Sequence, residues 1–362
     1  MKLVADAGLW STGATVEPAP LVAVLEVSGA VLAWTVDEPD RAAGITFTDP
    51  TRADWLWRVF GEAGHTAVAA AVDGRSPDPA QTVDLTGVSV SSDALRPLRR
   101  LALGHWLRRW WPASERDGIA ALDTALLDAE IAVLTAAAQD FFTDDTFDSE
   151  VTSLLAPHAA ALAAHARDGD PRVADLVERC GDLADDVGIA MDADAVSATR
   201  RDDYALAAGP RAGGAGSGAI ASGVDSVNWA GVPPGIFDAA EQTVEWRIEA
   251  RSSVESVVRV ALSGLGSPNG IAVNLSSGTV TGTGVLDADG RATFPIVDAQ
   301  HRPLTETAAW GHDWQDTTVV VGARVDESPQ TRERIRTFAR ARLSAPPGDA
   351  FLAEILAAES DY

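Results

Sequence analysis

The chain has little with which to perform covalent or redox chemistry. Its 362 residues include a single cysteine, Cys180, which excludes an intramolecular disulfide and argues against a thiolate metal site. Lysine is also nearly absent: Lys2 is the one lysine, so the other Lys/Arg positions, 28 less one, are arginine. A P-loop therefore cannot be built, because the Gly-rich run ending at Ser217-Gly218 continues with Ala219-Ile220 and not with Lys and a hydroxyl residue. The serine-hydrolase turn G-x-S-x-G fails as well, since Ala215 stands two residues before Ser217. No HExxH occurs, and His158 and His165 are spaced wider than the i, i+4 pair of a zinc-binding helix. No apolar run has the length of a membrane span. The start, MKLVADAGLW, lacks the apolar core of a secretory signal. These absences lead us to expect a cytoplasmic protein with no cofactor, no metal and no membrane contact.

What the chain has in excess is negative charge. Its formal net charge is −25, with 46% apolar and 22% charged residues, the composition of an ordinary globular protein. Such a charge disfavours nucleic acid and anionic lipid, and favours a partner with basic patches. The length suits two or three domains.

The stretch from Leu206 to Gly235, LAAGPRAGGAGSGAIASGVDSVNWAGVPPG, divides the chain. Glycine loses the most backbone freedom on folding, so this run reads as a flexible linker. The expected layout is an α+β domain over 1–112, a helical region over 113–205, the linker over 206–235, a β-sandwich over 236–328 and a helical tail over 329–362.

In the first region, the apolar runs Leu21 to Val27 and Ala30 to Val36 flank Ser28-Gly29, the pattern of a hairpin. Ile45 and Phe47 alternate with threonines, as in a strand. Asp49-Pro50 is a helix start, followed by an apolar stripe at Ala53, Leu56, Trp57 and Phe60. His65 to Val72 and Val83 to Val90 read as further strands around the turn-rich 73–79. SSDALRPLRRLALGHWLRRWWP is then an amphipathic helix with Leu103, Trp106, Leu107 and Trp110 on one face and Arg96, Arg100 and Arg108 on another.

The helical region carries one stripe through Ile119, Leu122, Leu126, Leu127, Ile131 and Leu134, and a second helix from Asp170-Pro171 through Val187. Cys180 lies on that second stripe and reads as core. Between them DFFTDDTFDSE gathers Asp140, Asp144, Asp145, Asp148 and Glu150. Clustered carboxylates could hold a hard cation, but the EF-hand order is missing and the residues read as turn and cap residues.

After the linker the period becomes two. Strands are expected at Val244–Ile248, Val258–Leu262, Ile271–Leu275 and Thr317–Val321, with a hairpin turning at Asp287 to Gly290. GVLDADGRATF resembles hairpins of transthyretin-like and immunoglobulin-like modules, and the resemblance implies a binding or structural module. In WGHDW an extended backbone would place Trp310, His312 and Trp314 on one side. The tail reads as two helices. The first buries Ile335, Phe338, Ala339 and Leu343 and carries Arg332, Arg336 and Arg340 outward at i, i+4, i+8. The second, with Phe351, Leu352, Ile355 and Leu356, is placed to dock either on its own chain or in a partner's groove.

The reading that fits best is a non-enzymatic adaptor or scaffold binding other proteins, in the manner of bacterial multi-gene, defence-type systems. Arg332, Arg336, Arg340, Arg96, Arg100 and Arg108 are its candidate partner-binding residues. The alternative is an enzyme with a dispersed site, whose candidates are His65, His105, Asp140 and Asp144; a nucleic-acid binder using the arginine rows is weaker because of the net charge. Brief proteolysis should cut between Gly209 and Gly223 and leave one helical and one β-rich fragment, read by mass spectrometry and circular dichroism.

Overall fold

A computed structural model describes residues 1–72, 81–139, 141–142, 148–188, 219–250, 252–264 and 266–360. The chain is a mixed α+β protein with two antiparallel sheets. It divides into two compact units: 1–109 with 122–197 and 342–362, and 110–121 with 198–341.

The first unit begins with strands β1 (Lys2–Asp6) and β2 (Leu9–Ser11), which the sequence reading did not identify. The expected hairpin follows as β3 (Val22–Val27) and β4 (Ala30–Thr35), then β5 (Gly44–Phe47) and the short β6 (Thr82–Asp84). Their order is β3-β4-β5-β2-β1-β6. Leu3, Trp10, Leu32, Ile45 and Phe47 are buried from this sheet.

Asp49 accepts the Thr51 amide and opens two short 3-10 turns, which precede α1 (Trp57–Val72). Here the apolar register differs from expectation. Trp55 is the buried tryptophan, its indole N–H donating to Ser28 O at 2.7 Å, and Trp57 is half exposed. The turns shift the start of the helix, so a stripe counted from Asp49 lands on the wrong residues. The strand expected over His65 to Val72 is helix, because its alanines favour helix and outweigh the alternation. Gly61, at φ +69°, breaks the helix one turn after its start. Residues 73–80 lie outside those described.

The second helix, α2 (Ser92–Trp110), matches its prediction: Leu95, Leu98, Leu101, Leu103, Trp106 and Leu107 are buried. Next come α3 (Thr124–Gln139), α4 (Asp148–Leu155), α5 (Ala159–Arg167) and α6 (Pro171–Asp186), the last capped by Asp170 as the sequence indicated. Cys180 is fully buried, and burial pushes its thiol up to about 11, which removes it as a nucleophile near neutrality.

The second unit is built on a seven-stranded sheet. Its strands are β7 (Ala219–Asp225), β8 (Val244–Ala250), β9 (Val254–Val260), β10 (Ala272–Ser277), β11 (Val280–Val285), β12 (Arg291–Val297) and β13 (Thr318–Val321), in the order β13-β10-β11-β12-β9-β8-β7. β11 and β12 share only the pairs Thr281–Val297 and Gly282–Ile296, and the sheet folds over there. Its far edges approach: the Val319 amide donates to Asp225 Oδ2 at 3.0 Å, and the Ala323 amide to Gly231 O at 2.8 Å. The sheet thus nearly closes around Trp246, Val258, Leu275, Phe294 and Val319.

Part of the stretch read as linker is therefore a strand, since β7 alternates well enough to pair with β8. Residues 206–218 lie outside those described. Ala219 to Gly223 form a hydrogen-bonded edge, so the cleavage window loses that end. The Asp287 turn is held by Asp287 Oδ1, which accepts from the Asp289 and Arg291 amides. WGHDW is not extended: Glu306–Gly311 forms α7, which leaves Trp310 exposed while Trp314 packs on the core. Helices α8 (Pro329–Ser344) and α9 (Leu352–Ser360) form the tail.

In the first unit α9 docks on its own chain. Phe351 is fully buried, and a Cβ built on Gly104 of α2 would meet Ile131 Cγ1 at 2.7 Å and Phe351 Cζ at 2.8 Å. Glycine at 104 thus lets the ring reach the helix backbone. Gly104→Ala should destabilise the protein by about 1–3 kcal/mol through overpacking. Gly181→Ala in α6, where a Cβ meets open space, should stabilise it by up to about 1 kcal/mol. Urea unfolding of the two variants checks the opposite signs.

Candidate functional site

The six arginines singled out from the sequence do not form two free rows. On α8, the expected outward face is buried. Arg332 and Arg336 retain 4% and 3% of their exposure. A guanidinium can be buried only where carboxylates meet it, and Glu241 does so, a residue the sequence gave no reason to select. Arg332 forms a two-pronged pair with Glu241 at 2.8 and 2.8 Å and donates to Asn228 Oδ1 at 3.1 Å. Arg336 donates to Glu241 Oε1 and Ala239 O, both at 3.0 Å, and lies against Glu333, Asp117 and the Trp229 ring. Arg340 is the half-exposed end, paired with Glu333 at 2.6 Å. Burial works against the charge on Glu241, but Arg332, Ser226 and Arg336 outweigh it and hold its carboxyl at about 2.

The row on α2 disperses. Arg96 is mostly exposed and meets Asp93 one turn earlier. Arg100 turns to Glu130 on α3 and to Ala350 O, with Phe351 under its plane. Arg108 reaches the fully buried Asp128, Nε to Oδ1 at 3.0 Å. That approach is off the hydrogen-bond direction, so Oδ1 is held by charge alone.

Asp128 also meets one of three histidines that pair with carboxylates in the first unit. His158 Nε2 lies 3.0 Å from Asp128 Oδ2, His105 Nε2 lies 3.5 Å from Glu150 Oε1, and His165 Nε2 lies 2.8 Å from Asp123 Oδ2. Each imidazole ties one helical segment to another. Burial lowers the pKa of His105, against the pull of Glu150, so its ring is neutral near pH 7. A buried aspartate that fixes an imidazole is an arrangement able to orient a proton-transfer group. Of the four enzyme candidates, His65 stands apart on α1, His105 is one of these three histidines, and Asp140 and Asp144 lie outside the described residues. Among the described residues no three His, Cys, Asp or Glu side chains are placed to hold a metal ion.

A further network was not foreseen. Arg342 and Glu354, both buried, pair through two contacts of 2.5 and 2.7 Å, and Arg342 also reaches Asp349 at 3.0 Å. Asp349 in turn meets Arg99 at 3.0 Å, and Glu130 accepts the Leu352 amide at 2.8 Å. The signal was present: an acid at 354 inside the apolar run FLAEILAA must find a cation. The sequence could not say that the cation lay on α8.

Comparison with protein families, with curated proteins and with solved structures gives no match. No helix of the described residues is long and apolar enough to cross a membrane.

Arg336→Met should cost about 1–3 kcal/mol, because it removes the bonds to Ala239 O and Glu241 while Glu241 keeps Arg332, and Arg340→Met should cost under about 1 kcal/mol. Chemical denaturation separates the two. In acid, the depressed pKa of Glu241 means that its contribution is complete above its ordinary value of 4.5 and is lost as pH falls from there through about 2. Glu241→Gln should flatten the pH dependence of stability across that window.

Proposed function

We propose that this protein is a cytoplasmic, non-enzymatic adaptor that binds other proteins, and that the surface it offers them is anionic. One observation carries the reading: in a chain of net charge −25, Arg332, Arg336 and Arg342 are buried against the chain's own carboxylates. Among the described residues three carboxylates, Asp128, Asp238 and Glu354, are buried as well, so burial takes equal numbers of each sign and leaves the chain's excess of acids at the surface. A partner with basic patches is attracted to such a surface, and nucleic acid is repelled. Of the six arginines first considered, Arg96 and Arg108 are the most exposed, and each is paired with an aspartate of its own chain. The folded-over sheet serves in this reading as an immunoglobulin- or transthyretin-like module. A bacterial multi-gene, defence-type system is a setting that suits such an adaptor.

The test is capture of partners from the source cells on the immobilised full chain, with identification by mass spectrometry. The recovered proteins should be basic, and should elute as salt approaches ~1 M, where the Debye length shrinks to about 3 Å. Recovery of acidic proteins, or elution independent of salt, would overturn the reading.

A further inference from the structure

A groove of about 450 Å³ runs between α6 and the start of α9 in the first unit. That volume lies in the range of small-molecule sites. Three of its residues, Arg172, Leu176 and Arg179, recur at i, i+4 and i+7 and so share one face of α6. The apolar part of the lining is Pro171, Leu176, Leu352 and Ile355. The charged part is unevenly satisfied. Arg172 is held between Asp170 and Glu359, each at 2.7 Å. Arg100 is held by Glu130, whose other oxygen takes the Leu352 amide. Arg179 differs: among the described residues its ion pair is a 4.0 Å contact with Asp175, and both side chains are more than half exposed. A contact that long in water contributes little and is easily exchanged for a better one.

We propose that this groove binds an aliphatic monocarboxylate. Its carboxylate takes the guanidinium of Arg179 in place of Asp175, and its chain lies on Leu176, Leu352 and Ile355. Arginine suits the head group because its fork matches two carboxylate oxygens. The apolar floor suits a hydrocarbon body and gives nothing to a bare inorganic anion. An amine is disfavoured, because Glu130 is already engaged and Arg100, Arg172 and Arg179 repel a cation. Because Leu352 and Ile355 belong to α9, the ligand would also fasten that helix to α6. This site is independent of the adaptor reading and stands or falls separately.

The test is calorimetric titration of the full chain with octanoate, octylamine and inorganic phosphate. Octanoate should bind saturably, one per chain, and the other two should not. Arg179→Glu should weaken octanoate binding by about tenfold or more while leaving the melting temperature unchanged, since Arg179 is exposed. Ile355→Asn should weaken octanoate with no gain for phosphate. Octanoate should also slow amide exchange in the first turn of α9. Absence of saturable octanoate binding, equal binding by Arg179→Glu, or comparable binding of phosphate or octylamine would overturn the proposal.

Discussion

A guanidinium taken out of water must be met by carboxylate, and the fold is arranged around that requirement. Glu241 receives Arg332 and Arg336 at once, and Glu354 receives Arg342 with both oxygens. Neither pair is a source of large net stability, since the cost of drying two charges offsets most of their attraction. Their effect is on choice of structure. An arrangement of α8 or α9 that separates the partners leaves a buried charge uncompensated, which excludes slipped helix registers that apolar contacts alone would tolerate.

That requirement also explains what the sequence could and could not disclose. Elements defined by local pattern were legible: the β3–β4 hairpin, α2, α6 with its Asp170 cap, and the alternation of β8 to β12. Where two local tendencies competed, the pattern misled. The Ala-rich segment after Gly61 alternates like a strand and is a helix, and Ala219 to Asp225 sits in a glycine-rich context and is a strand. The roles of the arginines depended on residues far away in the chain, Glu241 for Arg332 and Asp128 for Arg108. A stripe at i, i+4, i+8 reports which side chains share a face, but not whether that face meets water or carboxylate. The same limit hid the Asp128–His158 pair, whose members belong to different helical segments, and the groove at Arg179.

The functional picture follows from the distribution of charge. A chain with 53 acidic and 28 basic side chains keeps its excess of acids at the surface, since among the described residues the three buried arginines are matched by three buried carboxylates, Asp128, Asp238 and Glu354. The histidine–carboxylate pairs and the buried thiol are occupied in holding helices together. Among the described residues, Trp57 and Trp310 are the exposed aromatic side chains, beside the exposed aliphatic Leu9, Val24, Val224, Leu262 and Val285.

The first unit is assembled from three separated stretches of chain, the last of which begins at Arg342. On the ribosome, residues 1–109 and 122–197 emerge long before 342–362, and the larger part of the second unit, 198–341, is synthesised in between. Gly104 and Ile131 must wait for Phe351, and Glu130 for the Leu352 amide. The second unit can therefore finish folding first, while the earlier-made unit stands open with apolar surface uncovered until α9 arrives. Such a waiting state is the kind that chaperones hold, and the production of this protein should be limited by the lifetime of that state more than by the stability of the finished fold.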